Sequence, residues 1–226
     1  MTSPEFQTRE RILYEALKDL GSSIPVRKPK KSSFALTKSG HTLEFHDDTQ
    51  LSLGVYRAVG GMPKGEFRCE AAFSVRGGPL LKTLSRASAA AAKAVKNPWL
   101  AGSSWYLVPR LFAKAPDWDY RFVAGTDTEK LTKQIMSDIR KYLFPMIHAF
   151  VDDYSKATDV FLTGDVKQLT FSAEPFAIGL SVLKLADRLD EAEALAKRAA
   201  TMKEKFYDYT PKKAEKLIAA FRKLRS

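Results

Sequence analysis

The chain has a single cysteine and three histidines in 226 residues, and these scarcities exclude more than any motif establishes. One cysteine, Cys69, rules out an internal disulfide. Its place among the apolar positions of an expected strand makes it a small buried residue rather than a nucleophile, which wants an exposed electropositive setting. His41, His46 and His148 form no close pair on one helix face, so no zinc signature is present. Gly60-Gly61 and Gly77-Gly78 open no phosphate-binding pattern and read as turn glycines. No apolar run approaches the roughly 18 residues of a membrane span, and the opening Met1-Thr2-Ser3-Pro4-Glu5 lacks the basic and then apolar start of a secretory signal. A cytoplasmic protein without a cofactor or a membrane association is the expectation.

What is present is an ordinary core and an excess of positive charge. Forty-five per cent of the residues are hydrophobic, enough for one medium domain with an added subdomain. The net charge of +11 is uneven: residues 21–40 carry +5, 81–100 carry +4 and 201–226 carry +5, leaving −3 for the rest. Concentration of this kind suits an electrostatic footprint better than uniform solubilising charge does.

Period-two alternation over residues 33–76 gives way from about Thr128 to helical spacing. Residues 4–20 predict a helix, with Ser3 as cap, Pro4 in the first turn, Phe6, Leu13, Leu17 and Leu20 on one side, and Gly21 as its stop. Residues 22–33 form a basic connecting loop containing Arg27, Lys28, Lys30 and Lys31 between prolines. A hairpin follows, with Phe34, Leu36, Leu43 and Phe45 inward about a Lys38-Ser39-Gly40 turn. Two longer strands carry Leu51, Leu53, Val55 and Val59, then Phe67, Cys69, Ala71, Phe73 and Val75. Strands joined by short turns imply an antiparallel sheet with one face covered.

Residues 79–96 predict a helix on which Lys82, Arg86, Lys93 and Lys96 lie within about 40 degrees of one another at 100 degrees per residue, opposite Leu84, Ala87, Ala91 and Val95. This basic stripe is the chain's best candidate contact face; a solvated helix face is the ordinary alternative. Trp105–Val108 and Trp118–Val123 suggest further strands, and Trp99, Trp105 and Trp118 suggest packing residues. A long helix starts after Gly125, capped by Thr126 or Thr128, with Leu131, Ile135, Ile139 and Leu143 stepping by four. Pro145 must kink or divide it near Lys141.

That order of elements, with Trp105 ahead of Thr126-Asp127-Thr128-Glu129-Lys130-Leu131 and then Tyr142-Leu143-Phe144-Pro145 and Phe150, resembles an uncharacterised bacterial family, the domain of unknown function numbered four-three-zero-four. The likeness covers about residues 9–163. It implies an α+β domain and brings no catalytic residue with it. Some small bacterial domains of this general kind neutralise toxins or act in defence, an analogy of fold alone. Beyond it, residues 171–226 read as a helical extension packed on the 1–170 domain. An αα-hairpin runs over Pro175–Arg188 and Glu191–Tyr207, and a final helix from Pro211 sets Leu217, Phe221 and Leu224 against Lys212, Lys216 and Lys223. The overall expectation is an α+β protein: an antiparallel sheet of four to six strands covered on one face by helices, with a C-terminal helical extension.

Chemistry is sparse. Glu44, His46 and Asp48 alternate along an expected strand and are a distant candidate for a divalent-metal site of a nuclease or hydrolase; a polar sheet face is the ordinary alternative. Asp117 and Asp119 flank Trp118 without a partner that defines a reaction. Two function classes fit better. The first is a non-enzymatic macromolecular interaction protein with a basic surface, an acidic protein being the preferred partner. The second is a nucleic-acid binder in which Lys28, Lys30 and Lys31 with Lys82, Arg86, Lys93 and Lys96 neutralise phosphates. No recognition helix or RNA-binding signature accompanies these residues, which favours the first.

Overall fold

The computed structural model describes residues 4–35, 40–58, 61–95, 119–164, 175–202, 206 and 209–224, with the side chains of Ala58, Ser88 and 90–95 left aside. The tryptophans, Leu36, the Lys38-Ser39 part of the first turn, Val59, Lys96 and the Lys93 side chain therefore lie outside the described residues.

Helix α1 (Pro4–Leu20) buries Phe6, Leu13, Tyr14, Leu17 and Leu20 on the stripe that its spacing predicts. A 3-10 turn over Gly21–Ser23 ends it. Strands β1 (Lys31–Ala35), β2 (Gly40–Glu44), β3 (Gln50–Ala58), β4 (Phe67–Arg76) and β5 (Tyr120–Phe122) form one antiparallel sheet in sequence order. Alternation along β4 is complete: Phe67, Cys69, Ala71, Phe73 and Val75 are buried while the residues between them are not. Period two places these five on one pleat face, where α1 meets β2, and α3 (Thr128–Asp138) and α4 (Phe144–Val151) meet β5 and β4.

The long helix is divided as Pro145 requires, by a device that periodicity does not reveal. A π-helical turn over Ile139–Leu143, closed by Phe144 N–H donating to the Ile139 carbonyl, joins α3 to α4, and Pro145 falls in the first turn of α4 directly after it. The start of α3 corrects the expected cap. Asp127 rather than Thr126 or Thr128 is the N-cap, its carboxylate accepting from Lys130 N–H at 3.0 Å; Thr126 Oγ1 instead accepts from Val123 N–H in the preceding turn.

Helix α2 (Gly78–Val95) leads from β4, and α5 (Tyr154–Leu162) follows α4. The C-terminal helices are α6 (Pro175–Leu185), α7 (Ala192–Thr201) and α8 (Pro211–Lys223), so the second arm of the αα-hairpin is shorter than its expected run to Tyr207. α6 packs against α2, α5, α7 and α8, and α8 also packs against α2. Phe176, Leu180, Leu195, Leu217 and Phe221 join the same buried cluster as Leu17, Phe73 and Phe150.

Candidate functional site

Register brings separate basic segments to one end of the sheet. Lys31 stands opposite Glu44, Glu44 opposite Gln50, and Gln50 opposite Arg76, forming the terminal row. From this row the chain leads outward three ways: back through the 24–30 loop, across the β2–β3 turn, and on into α2. Arg27, Lys28, Lys30 and Lys82 thereby join Lys31 at that end.

The β2–β3 turn is the hub. Phe45 N–H donates to Thr49 O at 2.9 Å and Asp48 N–H to Phe45 O at 3.2 Å, with Asp48 in the left-handed region at φ 68°. Asp and Asn bear that conformation better than bulkier residues do. Because β2 ends at Glu44, His46 and Asp48 lie in the turn and do not continue the strand's alternation. The Asp48 carboxylate receives Lys82 Nζ at 2.6 Å. Among the described residues no group of three or more His, Cys, Asp or Glu is disposed to hold a metal ion, so Glu44, His46 and Asp48 are not assembled into the candidate metal site.

Arg27 braces the hub to the helices. Its guanidinium donates to Asp47 Oδ2 at 2.5 Å, to Asp152 Oδ1 at 2.8 Å and to the Val151 carbonyl at 2.5 Å, and stacks over the Phe45 ring at 4.7 Å. Arg27 N–H also reaches Asp152 Oδ2. Burial raises the Asp47 pKa, but hydrogen bonding from Thr49 and the Arg27 charge outweigh it, holding the carboxyl below its ordinary range. His148 lies 3.8 Å from Asp152 at the end of α4.

Arg27, Asp47 and Asp152 form a cluster that sequence reasoning counted as charge but did not assemble. The available signals were an Asp-Asp pair between two strand patterns and a second, Asp152-Asp153, between two helices. The cluster is saturated by its own ion pairs and contains no cysteine, serine or metal set, so it reads as a brace.

The predicted cations thus divide. Lys82 is exposed but committed to Asp48, and Arg86 is exposed on the same helix. Lys28, Lys30 and Lys31 are exposed and form no ion pair with a described residue. Asp119 pairs with Arg121 at 2.8 Å, which removes it as a lone acid. Cys69 is buried on β4, and burial pushes its thiol up to about 12, leaving no thiolate at neutral pH. A cleft of about 580 Å3 between the end of α5 and α7 is crossed by Arg198, which donates to the Leu162 and Gly164 carbonyls; among the described residues no carboxylate or histidine lines it.

The fold is that of an α+β protein with a five-stranded antiparallel sheet and C-terminal helices. No family model, curated protein or solved structure matches the chain. Among the described residues no helix is long and apolar enough to cross a membrane.

Proposed function

We propose that the chain is a non-enzymatic interaction protein that receives an acidic protein on the sheet end carrying Lys28, Lys30 and Lys31. One observation carries the reading: three exposed lysines within four residues form no ion pair with a described residue, although Lys31 stands opposite Glu44, whereas neighbouring Arg27 and Lys82 are held by Asp47, Asp152 and Asp48. The neighbouring ion pairs fix the loop's base and the start of α2, while the three ammonium groups stay available to an incoming anion. Exposed charges of this kind steer association and confer selectivity more than affinity.

The test compares a labelled polyglutamate peptide with single-stranded oligo-dT and oligo-U at two salt concentrations, using the native chain and a Lys28→Glu, Lys30→Glu, Lys31→Glu variant. Polyglutamate should bind at low salt, weaken as salt rises and be lost in the variant while its circular dichroism is unchanged. Equal binding by the variant, or none at low salt, would remove the proposal.

A nucleic-acid reading rests on a different observation. Tyr56, 49% exposed, projects from the outer sheet face. Burial raises its phenol pKa while the charge of Arg76, from the same face, lowers it. An exposed ring with a cation on the same sheet face can stack a base. Tighter binding of the oligonucleotides than of polyglutamate, abolished by Tyr56→Ala, would favour that reading.

A further inference from the structure

We propose that β1 is a docking edge at which an extended acidic segment of the partner adds as a further strand; this rests on the acidic-protein reading above and specifies how the partner is held. β1 ends the described strand order, so only one of its sides is paired, by β2. The free side can be assigned residue by residue. Phe45 N–H donates to Thr49 O, which directs the Phe45 backbone groups toward β3. Alternation then directs Leu43 and His41 toward β3 as well, and Glu44, Thr42 and Gly40 toward β1. Lys30 N–H donating to Glu44 O at 2.7 Å agrees with this. The register partners Lys31, Ser33 and Ala35 therefore face β2. Ser32 and Phe34 turn their N–H and C=O groups outward, offering two donors and two acceptors about 7 Å apart along the strand.

Natural sheets blunt such edges with proline, a bulge or charge. No proline interrupts residues 31–35, and their register with β2 is continuous. The protection here is the lysines, and it is selective. A second copy brought alongside would add its own basic segment, whereas an acidic strand meets complementary charge. Like charges opposed across strands destabilise pairing and opposite charges favour it.

The pattern along β1 also specifies the segment. Phe34 is partly buried against the His41 ring, with centroids 4.8 Å apart, and can take an apolar neighbour; Lys31 lies on the opposite pleat face. An antiparallel incoming strand would place an apolar residue opposite Phe34, then two small or β-branched residues opposite Ser33 and Ser32, then acids opposite Lys31 and Lys30. That is strand addition with main-chain bonds for affinity and side chains for selection.

The probe is a fluorescent peptide of alternating threonine and valine ending in three glutamates. A control carries N-methyl groups on the amides that face β1, with its charge unchanged. The peptide should bind, the methylated control at least about tenfold more weakly from the lost hydrogen bonds, and the amides of Ser32 and Phe34 should gain exchange protection. Ser32→Pro, which removes a donor not used by β2, should weaken binding similarly while Lys30→Glu with Lys31→Glu abolishes it. Equal binding of peptide and methylated control with loss on charge reversal would overturn strand addition and leave the acidic-protein reading standing. Indifference to both would overturn both. The methylated control decides the matter even if Ser32→Pro does not fold, and a concentration-dependent dimer lost in Ser32→Pro would replace the acidic segment by a second copy.

Discussion

Replacing Arg27 by alanine removes one side chain that holds three elements together, and its cost can be worked from the contacts. Two ion pairs are lost, to Asp47 and Asp152, with Arg27 39% exposed and the acids 35% and 14%. Pairs at that exposure contribute about 0.2–1 kcal/mol each after solvent screening. The bond to the Val151 carbonyl adds about 1 kcal/mol, and the stacking over Phe45 about 0.5–1 kcal/mol. Together the loss is about 2–4 kcal/mol, or about 4–16 °C in Tm for a chain of this size. Urea denaturation followed by circular dichroism measures it. Arg27→Lys should recover less than half, because one ammonium cannot reproduce the planar fork that spans two carboxylates and a carbonyl. A double-mutant cycle should give stronger coupling with Asp152→Asn than with Asp47→Asn, since Asp152 is the more shielded acid. A loss below about 0.5 kcal/mol, or full rescue by lysine, would refute the bracing role.

Acid sensitivity follows from the same hub. The Asp47 carboxyl is held below its ordinary pKa, so its stabilisation is present above the unfolded value near 3.9 and disappears as pH falls through the lower folded value; the stability gap between the native chain and Asp47→Asn should be constant above about pH 5 and close below about pH 4. Gly77 and Gly61 both have positive φ, but a Cβ at Gly77 would run into the Asp48 carbonyl while one at Gly61 meets nothing. Gly61→Ala should therefore cost about 1–2 kcal/mol of left-handed strain and Gly77→Ala clearly more in urea melts, equal costs being the result that would contradict the packing.

The strands were legible because one face is buried: Phe67 to Val75 could not shift register by one residue without exposing five apolar side chains. Helix α1 was legible for the equivalent reason at period 3.6. The site was less so. Lys82 and Asp48 are 34 residues apart, and no local pattern announces a pair formed by a turn folding back on a helix. The alternation of Glu44, His46 and Asp48 is real in the sequence yet has no strand to act on beyond Glu44, because Asp48 adopts the left-handed conformation that reverses the chain. Asp127 took the cap from two threonines of similar propensity, a choice made by the geometry of the preceding turn. The π-helical turn before Pro145 was predictable as a break and not as a type of break.

The positions of the helices bear on two of the three basic segments as the proposed contact surface. α2 buries Leu80, Leu81, Leu84 and Ala87 and packs against both α6 and α8, while its first lysine is occupied by Asp48. A partner docking at Lys82 would have to displace that ion pair before gaining one. At β1 nothing described has to move: Lys28, Lys30 and Lys31 are exposed and the outward backbone groups of Ser32 and Phe34 face away from β2. Unsatisfied backbone groups in a regular row reward an extended chain specifically, whereas lysines on a helix reward any anion. The combination of an edge and lysines without described pairing partners, rather than the larger sum of positive residues, is what favours the β1 side in the proposed reading.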